Sequence, residues 1–407
     1  MEGAVRGVAT KKAASGSARR EPLKRLQAGL PAAWFHDPAH YRRELEAFWY
    51  GRWIAACREE EVPGPGDWRV VRVGTQAILI FRNERKELRA FHNTCRHRGS
   101  ILCAEESGKF ARERIVCPYH SWTYDLEGRL VATPRRMPTP DFDPKKFSLF
   151  EIAVEPWGGF VFICLERKPV PLKTALGGLA ARFKRYDLHR LRIGKRIVAD
   201  VKANWKLLAE NFSECFHCPP VHPELCRIVT AYREAGAWGL RGAESTPEYQ
   251  AGARTLTLDG SSRIPPFQKL TRKERETLYV PWMLPPNLFL NLQPDYVNAH
   301  MMFPTGPESV RIVYDWLFEP EHLPKGADLE HYVALWEATN KQDARNCEWQ
   351  QQGIQSREFK HGHFVPQEFD CHRFAQWVRA GLRAGRGPRQ AAFQPTLRNR
   401  VPRPQST

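Results

Sequence analysis

Two short segments of the chain each hold one cysteine and one histidine. The first is Cys95-Arg-His97, and the second, nineteen residues later, is Cys117-Pro-Tyr-His120. Thiol and imidazole side chains at this spacing are typical of a metal site. Zinc is one candidate, because it binds two cysteines and two histidines in tetrahedral geometry. Zinc fingers, however, commonly take their cysteine pair and their histidine pair from separate segments, whereas here each segment supplies one of each.

The mixed pairs favour a [2Fe–2S] cluster, in which two cysteines bind one iron and two histidines bind the other. The segments read CRHRGS and CPYHSWTYDLEG and closely resemble the two cluster-binding loops of Rieske proteins. Gly99 allows the first loop to turn tightly, and Pro118 can shield the cluster from water. We therefore predict that these two cysteines and two histidines bind a Rieske cluster, which carries electrons.

A second group of candidate ligands lies in the segment NWKLLAENFSECFHCPPVHPEL, residues 204–225. Glu214 and His217 are three residues apart on a predicted helix and therefore share one face. The Pro219-Pro220 pair is expected to end that helix and to bring His222 round to the same side. Two histidines on a rigid turn suit the ligation of iron, and one carboxylate would complete a two-histidine, one-carboxylate triad.

With both motif sets in this order, residues 35–375 resemble the α subunit of the Rieske non-haem iron, aromatic-ring-hydroxylating oxygenases. The resemblance implies that His217 and His222 bind a mononuclear iron. It also implies that Glu214 links this iron to the Rieske site of a neighbouring subunit, as a coupling residue and not as a ligand. Family members resembling this chain are homotrimers, so a homotrimer is expected.

The carboxylate ligand is expected farther along the chain. The segment ATNKQDARNCEWQQQGIQS, residues 338–356, resembles the late family segment that contributes an aspartate, and the match falls on Asp343. Asp295 and Asp315, in strand-like segments, are the alternatives.

The resemblance implies a terminal oxygenase that uses O2 and electrons from a separate NAD(P)H-dependent reductase of flavin or ferredoxin type. The chain itself has no GxGxxG dinucleotide motif. The segments ECFHCPPVHPEL and 285–307 resemble the branch that acts on choline, glycine betaine and carnitine. We therefore expect hydroxylation or N-demethylation of a small quaternary ammonium compound such as a betaine. The alternative is ring hydroxylation or O-demethylation of an aromatic compound.

Binding of a quaternary ammonium group requires aromatic faces, each worth ~0.5–2 kcal/mol. Phe289, Tyr296 and Trp316 occupy strand-like segments and are the candidates, although aromatic residues at strand spacing usually belong to a core. Two other kinds of protein fit less well. A binding protein on an inactive oxygenase fold would lack part of the ligand set, and a separate Rieske electron carrier would lack residues 204–225.

The elements that must position these residues predict an α+β protein. Short apolar runs between Val62 and Leu165 indicate an all-β Rieske domain. An antiparallel-sheet catalytic domain of helix-grip type follows, with a long helix near 327–353 packed on the sheet. The predicted division is a flexible basic tail (1–34), an N-terminal helix that joins the catalytic domain (35–60), the Rieske domain (61–168), the mononuclear iron domain (169–377) and a second flexible basic tail (378–407).

The composition excludes several classes of protein. The net charge of +17 on 407 residues lies mostly at the ends, with +5 in residues 1–26 and +7 in residues 378–407, so it does not favour a nucleic-acid-binding protein. The basic N-terminus leaves a transit peptide as an alternative to a plain tail. No run approaches the ~18 apolar residues of a membrane helix, and the ten cysteines are expected to be reduced thiols in a cytoplasmic protein.

Overall fold

The computed structural model describes residues 22–236 and 248–384. The strands in this part of the chain are β1 (Gln27–Pro31), β2 (Ile54–Arg58), β3 (Asp67–Val73), β4 (Gln76–Arg82), β5 (Leu88–His92), β6 (Ser107–Lys109), β7 (Ile115–Val116), β8 (Thr123–Tyr124), β9 (Leu130–Ala132), β10 (Ala153–Trp157), β11 (Phe160–Cys164), β12 (Arg192–Val201), β13 (Val280–Leu284), β14 (Leu288–Leu292), β15 (Val297–Gly306), β16 (Ser309–Phe318) and β17 (His361–Phe364). The α-helices are α1 (Pro38–Glu44), α2 (Leu172–Leu176), α3 (Leu179–Arg182), α4 (Trp205–Phe212), α5 (Cys218–Val221), α6 (Pro223–Ile228), α7 (Arg272–Glu276), α8 (Ala327–Ile354) and α9 (Phe369–Ala384).

Three small antiparallel sheets form the first half of the molecule. Their strand orders are β5-β4-β3-β6, β7-β8-β9 and β10-β11-β2. The first two sheets share a core that includes Trp68, Phe81, Phe91 and Tyr124. The predicted all-β unit is therefore present, and its short strands end in the loops that carry the cysteine and histidine pairs.

A five-stranded antiparallel sheet forms the second half, in the order β12-β16-β15-β14-β13. Every residue of β14 is buried, because the strand is covered on both faces. The strand-like segments that carry Phe289 and Trp316 are strands β14 and β16. Strand β13 was not predicted, and it pairs with β14 at the sheet edge.

Helix α8 packs along this sheet. Its 28 residues span about 42 Å at 1.5 Å per residue. Tyr332 and Trp336 are buried against the sheet, and the Trp336 indole donates to the hydroxyl of Tyr296 at 2.8 Å. The predicted α+β class, with a long helix on an antiparallel sheet, is confirmed.

The predicted tails need correction where the structure describes them. Strand β1 pairs with β17, so residues 27–31 are not part of a flexible tail. Helix α9 continues to Ala384 and includes residues 378–384. The remaining tail predictions, residues 1–21 and 385–407, lie outside the described residues. Among the described residues, no helix is both long and apolar enough to cross a membrane.

The N-terminal helix is shorter than its predicted segment. Asp37 caps α1 through a 2.7 Å hydrogen bond from the backbone N–H of Ala39, and Pro38 occupies the first turn, where its missing N–H costs nothing. A π-helical turn, Leu45–Tyr50, continues it. Strand β2 then pairs with β11, so the predicted joining segment ends as a strand of the β10-β11-β2 sheet.

Candidate functional site: two metal centres and a shared cavity

Each predicted cluster loop is closed by two backbone hydrogen bonds. In the first loop the N–H of Cys95 donates to the carbonyl of Ser100 at 2.7 Å, and the N–H of Gly99 donates back to Cys95 at 3.0 Å. Gly99 has φ 74°, a left-handed conformation that favours glycine. In the second loop Cys117 and Trp122 are joined in the same way at 2.9 Å. The two loops therefore present their cysteines through similar tight turns.

The four predicted cluster ligands divide into an inner and an outer pair. The Cys95 and Cys117 thiols are buried, whereas His97 is exposed and His120 is partly exposed. The two imidazole rings lie 4.7 Å apart between centroids. An inner thiol pair and an outer imidazole pair suit a [2Fe–2S] cluster with one iron inside the protein and one at its surface.

Aromatic side chains support the cluster ligands. The Trp122 ring stacks on His97 at 4.8 Å with an interplanar angle of 9°. The Tyr124 hydroxyl accepts from the backbone N–H of Arg96 at 3.0 Å and lies 3.3 Å from the Cys95 sulfur, to which it can donate. Trp122 and Tyr124 lie in the WTY part of the second motif, so the motif carries both ligands and their support.

The second predicted site is built from a chain segment that is less helical than expected. Asn204 caps α4, which ends at Phe212, so Glu214 and His217 do not share a helix face. The Pro219-Pro220 pair does not break a helix. It lies in the first turn of α5, where proline is well tolerated.

The structure nevertheless brings the three predicted iron ligands together. His217 Nε2 lies 3.2 Å from His222 Nε2 and 3.4 Å from Asp343 Oδ1, and His222 Nε2 lies 2.9 Å from the same oxygen. One ligand atom from each residue lies within 4.8 Å of the others. Two imidazole nitrogens and one carboxylate oxygen that converge on one point form the donor set of a mononuclear non-haem iron site.

The electrostatics of the three-ligand group also favour a cation. Burial opposes a charge on His217, but hydrogen bonds to Asp343 and Glu214 outweigh it and raise the pKa of His217 to about 10. Burial raises the pKa of Asp343, but the two histidines overcome this and hold it well below its usual range. The carboxylates next to His217 therefore favour positive charge at this point, as a metal-binding site requires.

Two side chains steady these ligands from the α4 end. Glu214 Oε1 lies 2.5 Å from His217 Nδ1, the ring nitrogen on the far side from Asp343, and Glu214 Oε2 accepts from the backbone N–H of His217 at 3.2 Å. Glu214 thus contacts a ligand histidine and not the converging atoms. Asn211, which the sequence reasoning missed, donates to Asp343 Oδ1 at 3.0 Å.

The alternative carboxylates have structural roles. Asp295 accepts hydrogen bonds from Thr255 at 2.5 Å and Ser262 at 2.6 Å. Asp315 is fully buried and pairs with Arg196 at 2.7 Å. Neither is grouped with the two histidines.

A cavity lies over the three-ligand group. Its empty volume is about 810 Å³, open space at the mouth included. Its walls include the aromatic and polar side chains of Phe212, Tyr232, Tyr279, His300, Trp336 and Thr339. Trp336 and Thr339 precede Asp343 on α8 by seven and four residues, so helical spacing alone could have identified them.

The predicted substrate residues do not line this cavity. Phe289 stacks behind Phe212 at 4.6 Å. Tyr296 donates to the carbonyl of Leu256 at 2.6 Å, and Trp336 packs between it and the cavity space. Trp316 is fully buried in the sheet. Helix α8, and not these strands, presents Trp336 to this cavity.

The cavity wall carries a net negative charge, because its three carboxylates outnumber the protonated His217. Its described lining residues include Glu214, Asp343 and Asp370 but no lysine or arginine. His300 is neutral there, since burial lowers the pKa of its imidazole to about 3. The wall therefore favours a cation over an anion.

One disulfide lines the same cavity. Cys215 and Cys218, on either side of His217, are joined, whereas the other eight cysteines are free and buried. The expectation that every cysteine is reduced was therefore wrong for this pair.

Comparison with known proteins agrees with both metal centres. Residues 52–143 match the family described as Rieske [2Fe-2S] domain, and residues 188–384 match the family described as ring hydroxylating alpha subunit (catalytic domain). The oxygenase subunit of glycine betaine monooxygenase from Chromohalobacter salexigens is 30% identical over 403 residues, covering 90% of this chain and 88% of that protein.

Two more distant comparisons cover similar lengths. The carnitine monooxygenase oxygenase subunit of Acinetobacter baumannii is 28% identical, covering 81% of this chain and 86% of that protein. The fold resembles a solved quaternary ammonium Rieske monooxygenase that was studied for carnitine oxidation and inter-subunit electron transfer. That match has a TM-score of 0.71 and 23% identity and covers 87% of this chain and 95% of that one.

The predicted family, enzyme class and cofactors are therefore confirmed. The family carries a Rieske [2Fe–2S] cluster and a mononuclear iron, and its oxygenases act on small molecules with electrons from a reductase. The chain belongs to the Rieske non-haem iron oxygenases, as an α subunit that joins a Rieske domain to a ring-hydroxylating catalytic domain.

Proposed function

We propose that this chain is the terminal oxygenase that hydroxylates or N-demethylates a small quaternary ammonium compound such as a betaine. The observation that carries this proposal is the cavity wall. Aromatic faces and carboxylates surround the three-ligand group, and the described lining residues include no lysine or arginine. The substrates in the names of the relatives, glycine betaine and carnitine, have the same positively charged head group.

The residues at the two centres have separate tasks in this proposal. Cys95, His97, Cys117 and His120 hold the cluster, and His217, His222 and Asp343 hold the iron. When bound, the cluster supplies single electrons and the iron supplies the binding and activation of O2. Glu214 accepts a hydrogen bond from the Nδ1–H group of His217. This hydrogen bond orients the imidazole ring and makes its Nε2 atom a stronger donor to a metal.

The aromatic wall binds and orients the substrate. Tyr279 lies 5.6 Å from Trp336 and 6.3 Å from Tyr232 between ring centroids, so the three rings form a continuous surface. A trimethylammonium group against such faces gains ~0.5–2 kcal/mol per desolvated contact. The same cavity is lined by the three-ligand group, so a head group held against these rings has its N-methyl carbons near that group. Hydroxylation of that carbon gives an unstable hemiaminal, which releases formaldehyde and the demethylated amine.

The assembly proposed with this function is a homotrimer. A closed ring of head-to-tail contacts can place the cluster of one subunit beside the iron of the next. Inter-subunit electron transfer is described for the solved relative, and the exposed His97 leaves the imidazole end of the cluster at the surface. A light-scattering mass of three chains is expected for the active enzyme, and a single-chain mass with full activity would contradict it.

The domain boundaries remain part of the proposal. We assign residues 61–168 to the Rieske domain and 169–377 to the mononuclear iron domain, with the segment 35–60 as an N-terminal helix that joins the catalytic domain. The family matches, 52–143 and 188–384, lie mostly within these two ranges, but the first begins within 35–60 and the second continues to the end of α9. Limited proteolysis should cut first between the two matched regions.

A cytoplasmic location completes the proposal. Eight of the ten cysteines are free, and the partner reductase needs reduced NAD(P)H. Separation of host-cell fractions, followed by blotting for the chain, tests it. Recovery of the chain outside the cytoplasmic fraction would contradict it.

The function is tested by loading the protein with iron and supplying a flavin reductase, NADH and O2. Glycine betaine, choline and carnitine are compared with an aromatic acid, and both the consumption of each substrate and the release of formaldehyde are measured. We expect formaldehyde from one or more of the cations, and none from the His222→Ala variant. Oxidation of the aromatic acid alone would favour the alternative function.

A neutral isostere sharpens this test. In 3,3-dimethylbutanoate a tert-butyl group replaces the trimethylammonium group of glycine betaine, so shape is kept and charge is lost. We expect it to bind at least about tenfold more weakly than the cation, in line with cation–π contacts to two or more rings. Equal binding would show that the wall recognises shape and not charge.

A further inference from the structure

His222 has a partner on the ring nitrogen that faces away from the three-ligand group. Its Nδ1 lies 2.7 Å from Oε1 of Gln342, and Nε2 of Gln342 lies 3.2 Å from Oε2 of Glu224. His222 is only 1% exposed, so water does not compete freely for this ring. Neither Gln342 nor Glu224 lines the cavity. The three side chains therefore form a short hydrogen-bonded chain behind the ligand.

The carboxylate of Glu224 determines which atom donates and which accepts in each hydrogen bond of this series. The carboxylate of Glu224 only accepts hydrogen bonds, so the amide nitrogen of Gln342 must face it. The amide oxygen is then left for His222, and an amide oxygen also only accepts. His222 must therefore donate from Nδ1. With its proton on Nδ1, a neutral His222 can offer the lone pair of Nε2, which lies 2.9 Å from Asp343 Oδ1, to a metal held by the three ligands.

These hydrogen bonds also connect the two helices next to the ligands. Gln342 adjoins Asp343 on α8, whereas Glu224 is in the first turn of α6, two residues after His222. A shift of α6 against α8 would break the amide contacts. The same contacts that select the tautomer thus hold the histidine at its distance from Asp343.

We propose that Gln342 and Glu224 are positioning residues that fix the tautomer and the orientation of His222, and thereby set the affinity of the mononuclear metal site. This inference rests on the proposed iron site. It differs from the support of His217, which receives a carboxylate directly from Glu214. The two histidines are therefore held by unlike partners, one charged and one through a neutral amide.

Metal affinity tests the proposal without turnover. Protein that keeps its cluster but has an empty mononuclear site is titrated with Fe(II) in competition with a chelator. Gln342→Leu should bind Fe(II) about 10–100-fold more weakly than the wild type, as for other partners of metal-bound histidines. Gln350→Leu is the matched control, because Gln350 is exposed on the same helix. A loss smaller than tenfold, or an equal loss in the control, overturns the proposal.

Two further variants test which side of the Gln342 amide faces His222. In Glu224→Lys the new ammonium group only donates, so it attracts the amide oxygen and leaves an N–H facing Nδ1. The proton is then driven to Nε2, and Fe(II) affinity should fall at least about tenfold. In the double variant Glu224→Gln with Gln342→Glu, the carboxylate and amide exchange places, and Nδ1 still meets an acceptor. The double variant should therefore bind Fe(II) at least about tenfold more tightly than Glu224→Lys. A double variant no tighter than Glu224→Lys overturns the proposal.

A spectroscopic signature separates this role from a merely structural one. Zn(II) is bound in place of iron, and the imidazole N–H signals are observed by proton NMR. The wild type and Gln350→Leu should show a slowly exchanging Nδ1–H of His222, and Gln342→Leu should lose it. Retention of that signal in Gln342→Leu overturns the proposal. Failure of the wild type to bind Fe(II) at all would instead refute the proposed iron site.

Discussion

The two metal regions are built in opposite ways. The cluster ligands lie within residues 95–120, on two short loops that each carry one cysteine and one histidine. The iron ligands come from residues as far apart as His217 and Asp343, and they meet because α8 packs beside α4 and α6. A cluster can thus be held by local structure, whereas the iron site depends on the packing of the whole catalytic domain.

The surroundings differ as well. The cluster loops leave His97 exposed at the surface, which suits the exchange of electrons with another protein. The iron ligands lie at the wall of a deep cavity beside Glu214, with His222 almost completely buried. One region is open to proteins and the other to small molecules, and this is the division of work in a terminal oxygenase.

The strongest test of this division is reciprocal loss of the two metals. We expect His222→Ala to lose the mononuclear iron and at least about a thousandfold of turnover while its visible spectrum is unchanged, because a ligand is removed from one centre only. We expect Cys117→Ser to lose the cluster colour while it still binds Fe(II) at the other site. Iron analysis and visible spectra of both variants check this, and loss of both metals from either variant would contradict it.

The next test concerns the connection between the regions. Glu214→Gln keeps the shape of the side chain but removes the charge beside His217 Nδ1. We expect both metals to remain and product formation to fall tenfold or more, since carboxylate partners of metal-bound histidines commonly contribute about 10–100-fold. Single-turnover oxidation of the cluster is the measurement. An unchanged rate would remove Glu214 from the pathway, and loss of the mononuclear iron would show that it acts on metal binding through His217 and not on electron delivery.

The sequence predicted the cluster site, whose ligands lie close together in the chain. It predicted only part of the iron site, whose ligands come from distant segments. The CRHRGS and CPYHSWTYDLEG segments contain their ligands, their turn glycine and the supporting Trp122 and Tyr124. For the iron site, the resemblance correctly grouped His217, His222 and Asp343. The end of α4 at Phe212 was missed, because an apolar pattern does not show where a helix gives way to a cysteine-linked turn.

The cavity wall could not be predicted from strand alternation. Alternation places Phe289 and Tyr296 on faces of a strand, but both faces of β14 are buried, so it does not show which face meets the cavity. The lining residue Trp336 belongs to α8, and its role depends on how that helix is rotated against the sheet. The Gln342 amide was missed for the same reason, because its partner Glu224 is more than a hundred residues away.

The aromatic wall gives a smaller test, of substrate recognition alone. Trp336→Phe and Trp336→Leu both remove the indole that donates to Tyr296, but only the leucine variant removes the aromatic face. We expect KM for a quaternary ammonium substrate to be about 2–30-fold higher in the leucine variant than in the phenylalanine variant, from ~0.5–2 kcal/mol of cation–π interaction. The inhibition constant of 3,3-dimethylbutanoate should differ much less. Equal KM values in the two variants would place the ammonium group elsewhere.

The smallest expected effect comes from a buried acid close to the iron site. Glu210 lies on α4 next to Asn211, and its Oε1 atom is buried without a hydrogen-bond partner among the described residues. Burial raises the pKa of Glu210 to about 8, which Lys206 only partly opposes. The folded protein therefore keeps this proton at pH values where the unfolded chain has lost it.

The sign of the pH dependence follows from that raised pKa. The contribution of Glu210 to stability is fully present below pH 4.5, the ordinary value, and declines as the pH rises toward about 8. Glu210→Gln cannot lose a proton, so it should melt at the same temperature as the wild type at pH 5 and a few degrees higher at pH 8, corresponding to about 1–3 kcal/mol. Scanning calorimetry at both pH values is the measurement. Glu337→Gln, which alters a surface ion pair with Lys341, is the control and should show no such pH-dependent difference. If Glu210→Gln melts no higher than the wild type at pH 8, then Glu210 is ionised in the folded protein, and the iron region carries one more negative charge than this reasoning assigns to it.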